Sequence, residues 1–85
     1  MNTIIKSKHA LEQMKARNIS IELANAILSN PQQTKVESGK KIFQSIFNFE
    51  GEGEYLVRIF VNFIKDPKIV ITVYRTSKLE KYYES

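Results

Sequence analysis

The chain has 85 residues, 42% of them hydrophobic and 11% aromatic, which suits one small folded domain rather than a disordered tail. Thirteen Lys and Arg against nine Asp and Glu leave a net charge of +4, which permits a polyanionic partner such as nucleic acid. The lack of cysteine and the single histidine, His9, exclude disulfides, thiolate zinc sites, a cysteine nucleophile and a multi-histidine metal site.

In chain order, the segment Met1–Lys8 lacks the apolar core of a signal peptide, and no later run reaches the ~20 apolar residues of a membrane helix. The expected address is the cytoplasm, with no membrane partner. Thr3–Ile5 can add an edge strand. The first helix is predicted over Lys8–Arg17, opened by Ser7 as N-cap, with Ala10, Leu11 and Met14 as its apolar stripe. Asn18 breaks that pattern. A second helix is predicted over Ser20–Ser29, with Ser20 as cap and Glu22 in the first turn. Leu23, Ala24, Ile27 and Leu28 form its buried face, and Asn30-Pro31 ends it.

From Thr34 onward the period changes to two. A short strand is expected at Thr34–Glu37, followed by Lys41–Phe49, a turn at Glu50-Gly51-Glu52-Gly53, and Tyr55–Ile64. Asp66-Pro67 marks the next turn, Ile69–Thr76 the last strand, and Ser77 the cap of a short C-terminal helix reaching Tyr83. This is an α+β layout: two N-terminal helices packed on a three- to four-stranded antiparallel sheet. Tyr55, Val57, Ile59, Val61 and Phe63 make one wholly apolar strand face, which the helices should cover. The opposite face, with Leu56, Arg58, Phe60 and Asn62, is mixed and should be left to solvent or a ligand.

Several side chains could carry chemistry. His9 belongs to the residue type suited to proton transfer at neutral pH, and it falls in a first helical turn, where free N–H groups collect anions. It could equally pack on the sheet or bond the backbone. If Asp66-Pro67 occupies a two-residue turn, the ladder brings Arg58 opposite Arg75, two like charges that a shared phosphate would reconcile. The alternative is two exposed arginines stacked on aromatic rings. Tyr74-Arg75-Thr76-Ser77-Lys78 gathers a phenol, a guanidinium, two hydroxyls and an ammonium, the donors a phosphoryl group needs, or is simply a strand end entering a capped helix. Lys81, Tyr82 and Tyr83 add charge and stacking surface suited to single-stranded RNA, or a helix docking its aromatics. No glycine-rich phosphate loop and no carboxylate cluster of metal-ligand type is present, so a reaction here would run on His, Arg, Lys and Tyr. RNA cleavage by its own 2′-hydroxyl is such a reaction.

The stretch SKHALEQMKARNIS resembles the H-A-x-x-x-M-x-x-R-x-I-S opening of an uncharacterised family of small bacterial and archaeal proteins. ILSNP resembles the close of that family's second helix, and VRIFVNFIKDPKIVITVYRTSKLEKYY its C-terminal strand pair and tail. The family is grouped with RelE- and ParE-like toxins of toxin–antitoxin pairs. The resemblance implies a single toxin-like domain over residues 1–85, a metal-free endoribonuclease acting on mRNA, often at the ribosome in such toxins, and held by a cognate antitoxin from an adjacent gene. By motif match it carries over His9, Arg17, Arg58, Tyr74, Arg75, Thr76 and Lys78. Together with the basic and aromatic tail, the expected catalytic residues are His9, Arg58, Tyr74 and Arg75 and the expected RNA-binding residues Arg17, Thr76, Lys78, Lys81, Tyr82 and Tyr83, with no cofactor and no metal. A non-catalytic module that docks nucleic acid or protein, or a ParE-like topoisomerase inhibitor, are the alternatives.

Overall fold

Ser7 and Ser20 each open a helix. In the computed structural model, which describes residues 4–64 and 66–84, Ser7 Oγ accepts from the Ala10 N–H at 3.1 Å and Ser20 Oγ from the Leu23 N–H at 3.0 Å. These caps satisfy donors that the first helical turn leaves unpaired. The helices are α1 (Lys8–Ala16) and α2 (Ile21–Ser29). At the end of α1 the Ile19 N–H donates to Met14 O at 2.8 Å and the Asn18 N–H to Lys15 O at 3.3 Å. Asn18 adopts φ 56°, the left-handed conformation that this closing motif requires and that asparagine tolerates better than most residues. Ile19 and Met14 are both buried, supplying the apolar contact that usually accompanies it.

The strands are β1 (Ile4–Lys6), β2 (Gln33–Glu37), β3 (Lys40–Phe49), β4 (Gly53–Asn62) and β5 (Lys68–Thr76), in the order β1-β5-β4-β3-β2. Strands β2 to β5 thus form an antiparallel meander, as the alternation predicts. The sheet as a whole has five strands and is mixed, because β1 lies parallel beside β5. This corrects the expected three or four antiparallel strands: β5 leaves a free edge, and the N-terminal segment takes it. Thr3 of the expected edge strand lies outside the described residues. Between β2 and β3, Ser38 and Gly39 both have positive φ, the mark of a two-residue turn whose twist matches a hairpin.

One apolar layer sits between the helices and the sheet. Ala10 and Met14 of α1 and Ala24 and Ile27 of α2 meet Val57, Ile59, Val61, Val70 and Val73. Val57, Ile59 and Val61 are all buried there, as their alternation predicts. The other face of the sheet is not left to solvent. A short helix, α3 (Leu79–Tyr82), packs against β4 on that side, and Ile42 and Leu56 are fully buried. The predicted Ser77 cap does not form; Lys78 stands at the helix start and makes no side-chain cap bond.

The decisive irregularity is in β5. Val70 pairs with Val61 and Thr72 with Phe60, so Ile71 is an extra residue, a β-bulge. Val70 and Val73, three apart, therefore both reach the helix-facing core. Beyond the bulge every side chain of β5 sits on the face opposite to the one it would occupy in an unbroken ladder.

Candidate functional site

Four polar residues stand in line across the sheet on the α3 side. Gln33 on β2 is paired with Gln44 on β3, Gln44 with Arg58 on β4, and Arg58 with Tyr74 on β5. Residues paired across ladders share a face, so the four side chains meet. Gln44 Nε2 donates to Gln33 Oε1 at 2.8 Å, Arg58 Nε to Gln44 Oε1 at 3.0 Å, and Arg58 Nη1 to the Tyr74 hydroxyl at 2.7 Å. Gln44 is wholly buried and Arg58 is only 4% exposed.

Removing a guanidinium from water costs several kcal/mol, on the order of what one buried ion loses. No carboxylate lies within ion-pair distance of Arg58 among the described residues. Its charge rests instead on the Gln44 carbonyl, the Tyr74 hydroxyl and aromatic faces. The guanidinium carbon lies 4.5 Å from the Tyr82 ring centre, 5.3 Å from Phe60 and 5.8 Å from Tyr74. Phe60 and Tyr74 stack on each other at 5.9 Å and 29°. The result is a buried cation beside a phenol, on a floor of stacked rings.

Arg75 is not part of this arrangement. The expected ladder partner of Arg58 was Arg75; the observed partner is Tyr74, and Arg75 pairs with Val57. The connection after Asn62 is longer than a two-residue turn, and the bulge at Ile71 recovers only part of the offset. Arg75 therefore lies on the helix-covered face, 4.1 Å over Phe49 and 4.6 Å over Tyr55, with Nη2 bonded to Glu52 at 2.8 Å. Its Nη1 is buried with no hydrogen-bond partner among the described residues. The two arginines cannot share a phosphate.

His9 and Arg17 also lie away from the row. Both are exposed on or at the end of α1, the helix that packs on the other side of the sheet. Thr76 is on the same face as Arg58, beside Leu56, and its hydroxyl accepts from the Lys78 N–H at 3.1 Å. Lys78 and Lys81 are exposed around α3, Lys81 lying 5.3 Å over the Tyr82 ring, and Tyr83 is half-buried at the helix end. The structure thus groups Arg58, Tyr74, Thr76, Lys78, Lys81, Tyr82 and Tyr83 on one side and leaves His9, Arg17 and Arg75 elsewhere. Gln33, Gln44 and Phe60 complete the site without having been singled out. The expected four-residue turn Glu50–Gly53 would have put Gln44 opposite Ile59. With Phe49 paired to Gly53 the loop is one residue shorter and Gln44 faces Arg58, while the turn at Ser38-Gly39 adds Gln33.

Residues 6–75 match a protein family described as Domain of unknown function (DUF4258). The chain belongs to this family. No curated protein and no solved structure matches the chain. The DUF4258 match takes in the whole polar row, from Gln33 to Tyr74, and ends before Tyr82 and Glu84. The row therefore belongs to the DUF4258 domain, whereas the segment covering it follows the matched span.

Proposed function

We propose that the protein is a RelE/ParE-like toxin domain that acts on RNA through the face carrying Arg58 and Tyr74. The observation that supports this reading is a guanidinium held with no carboxylate in ion-pair distance among the described residues. Arg58 keeps a full charge available for a phosphate, and its planar fork suits that partner. The Phe60–Tyr74 stack offers a π surface to an unstacked base, and Lys78 and Lys81 supply neighbouring charge for the backbone. Cleavage by the RNA's own 2′-hydroxyl needs charge stabilisation and proton transfer, and the Arg58–Tyr74 pair contains a group for each. In this reading the protein is cytoplasmic, and an acidic antitoxin encoded beside it covers the same face.

A second reading is favoured by the position of His9 and Arg75. With both on the other side of the sheet, Tyr74 is the one proton-carrying side chain in the row, which suits a module that binds RNA without cutting it. A single assay separates the two. Purified protein is incubated with short single-stranded RNA, with and without chelator, and both retention and cleavage are followed. Chelator-resistant cleavage lost in Arg58→Ala and Tyr74→Phe supports the endoribonuclease. Retention without cleavage supports the binding module, and neither result in the presence of folded protein rejects both. Expression alone should slow growth, and co-expression with the adjacent gene should restore it.

A further inference from the structure

The working face of the preceding proposal is closed in this structure, and the chain itself closes it. The geometry points to an autoinhibitory strap: the C-terminal segment Leu79–Glu84 covers Arg58, and the anion-binding face is open only when that segment lifts. This inference rests on the reading of Arg58 as the phosphate-binding group.

The covering is specific. Tyr82 lays its ring 4.5 Å from the Arg58 guanidinium, and its carbonyl accepts from Gln44 Nε2 at 3.1 Å. Gln44 is also the residue whose Oε1 holds Arg58 Nε, so one buried amide joins the strap to the cation. Gln33 grips the strap's backbone at both polar atoms of Glu84. Its Oε1 accepts the Glu84 N–H at 3.1 Å, and its Nε2 donates to the Glu84 carbonyl. Lys35 adds an ion pair with the Glu84 carboxylate at 3.2 Å. Each contact is made to Gln33, Lys35, Gln44 or Arg58, residues of the row or beside it.

The attachment is also light. α3 has four residues, no side-chain cap and no buried residue. The Glu84 carboxylate is 76% exposed, and an ion pair so exposed contributes little against water. Short terminal elements with solvent-exposed hydrogen bonds and few buried contacts open locally while the rest of a domain stays folded. Lifting the strap uncovers the Arg58 fork and frees the Tyr82 ring together, so exposure of charge and of stacking surface is one event. A site hidden by such an equilibrium binds more weakly by the fraction of time it is open.

The test uses the full chain and a labelled short oligouridine as probe. Because the chain has no cysteine, Gln33→Cys with Glu84→Cys supplies the only thiols, which a short bis-maleimide can join. The unlinked double variant and Gln33→Ala should bind the probe more tightly than wild type. A closed state that hides all but ~0.1–10% of sites withholds ~10- to 1,000-fold in affinity. Linking the two thiols should abolish binding in the same protein that bound before linking. Equal binding by the linked and unlinked forms overturns the strap and leaves the RNA reading standing. Failure of every form to bind, the unlinked variants included, overturns the RNA reading and the strap with it.

Discussion

A buried guanidinium with no carboxylate partner among the described residues depends on each of its neutral acceptors, so the row should be sensitive to single-atom changes. Arg58→Ala leaves the Gln44 carbonyl and the Tyr74 hydroxyl without their donor. A buried group left unsatisfied costs ~1–3 kcal/mol, and denaturant unfolding should record a loss of that size. Relief of repulsion from Arg75 does not enter, since the two cations lie on opposite faces of the sheet. Tyr74→Phe leaves the buried Arg58 Nη1 without its acceptor and should cost ~1–3 kcal/mol as well. Arg75 gives the contrasting case. It stacks on Phe49 and Tyr55 and pairs with Glu52, which is a structural set. Arg75→Ala should lose roughly 0.5–2 kcal/mol of stability and leave affinity for RNA unchanged. A folded Arg75→Ala protein with RNA binding reduced tenfold or more would return Arg75 to the site.

Element boundaries were largely legible because they depend on local chemistry. Ser7 and Ser20 announce their helices, and the uninterrupted alternation of Tyr55–Phe63 announces β4 and its buried face. The face on which Tyr74 and Arg75 emerge was not legible. Ile69-Val70-Ile71-Thr72-Val73 is a continuous β-branched run that fits a strand in either register, so no residue in it marks the bulge. The choice is made by the pairing with β4 and by which valines the helices need. This leads to an expectation about Ile71. Its deletion would turn β5 into a regular strand while keeping Val70 against Val61 and Tyr74 against Arg58. The deletion variant should fold and retain the cross-strand contacts of Tyr74 with Arg58 by nuclear Overhauser measurement. A protein in which Arg75 now contacts Arg58 would show that the bulge does not set the faces.

At the scale of the whole molecule, a single sheet is sandwiched between unequal covers. On one side two nine-residue helices bury Val57, Ile59 and Val61 of β4 and Val70 and Val73 of β5; on the other, a one-turn helix and a tail lie over a polar row. Stability should therefore reside on the first side. Ile59→Ala, at a fully buried position beneath the helices, should cost ~2–5 kcal/mol, a large share of what a domain of this size possesses. Urea midpoints for Ile59→Ala and for a substitution in the one-turn helix, such as Lys81→Ala, should differ accordingly. The weak cover was hard to read in advance for the same reason. Ser77–Tyr83 has the composition of a helix, but how much of it forms depends on Gln33 and Gln44, residues from distant strands.

The parallel pairing of β1 with β5 carries a consequence for the order in which the molecule can assemble during synthesis. Ile4–Lys6 is made first, and the edge it joins is made among the last elements. Helices α1 and α2 and the hairpins of β2, β3 and β4 can form from neighbouring residues as they emerge, but β1 has no edge to join until β5 has left the ribosome. Translation at ~5–20 residues per second puts seconds between the two events. Through that interval Ile4 and Ile5 are free to meet a chaperone. A ribosome-stalled chain with β5 still inside the exit tunnel should thus show Ile4–Lys6 open to hydrogen exchange, and release of β5 should close it.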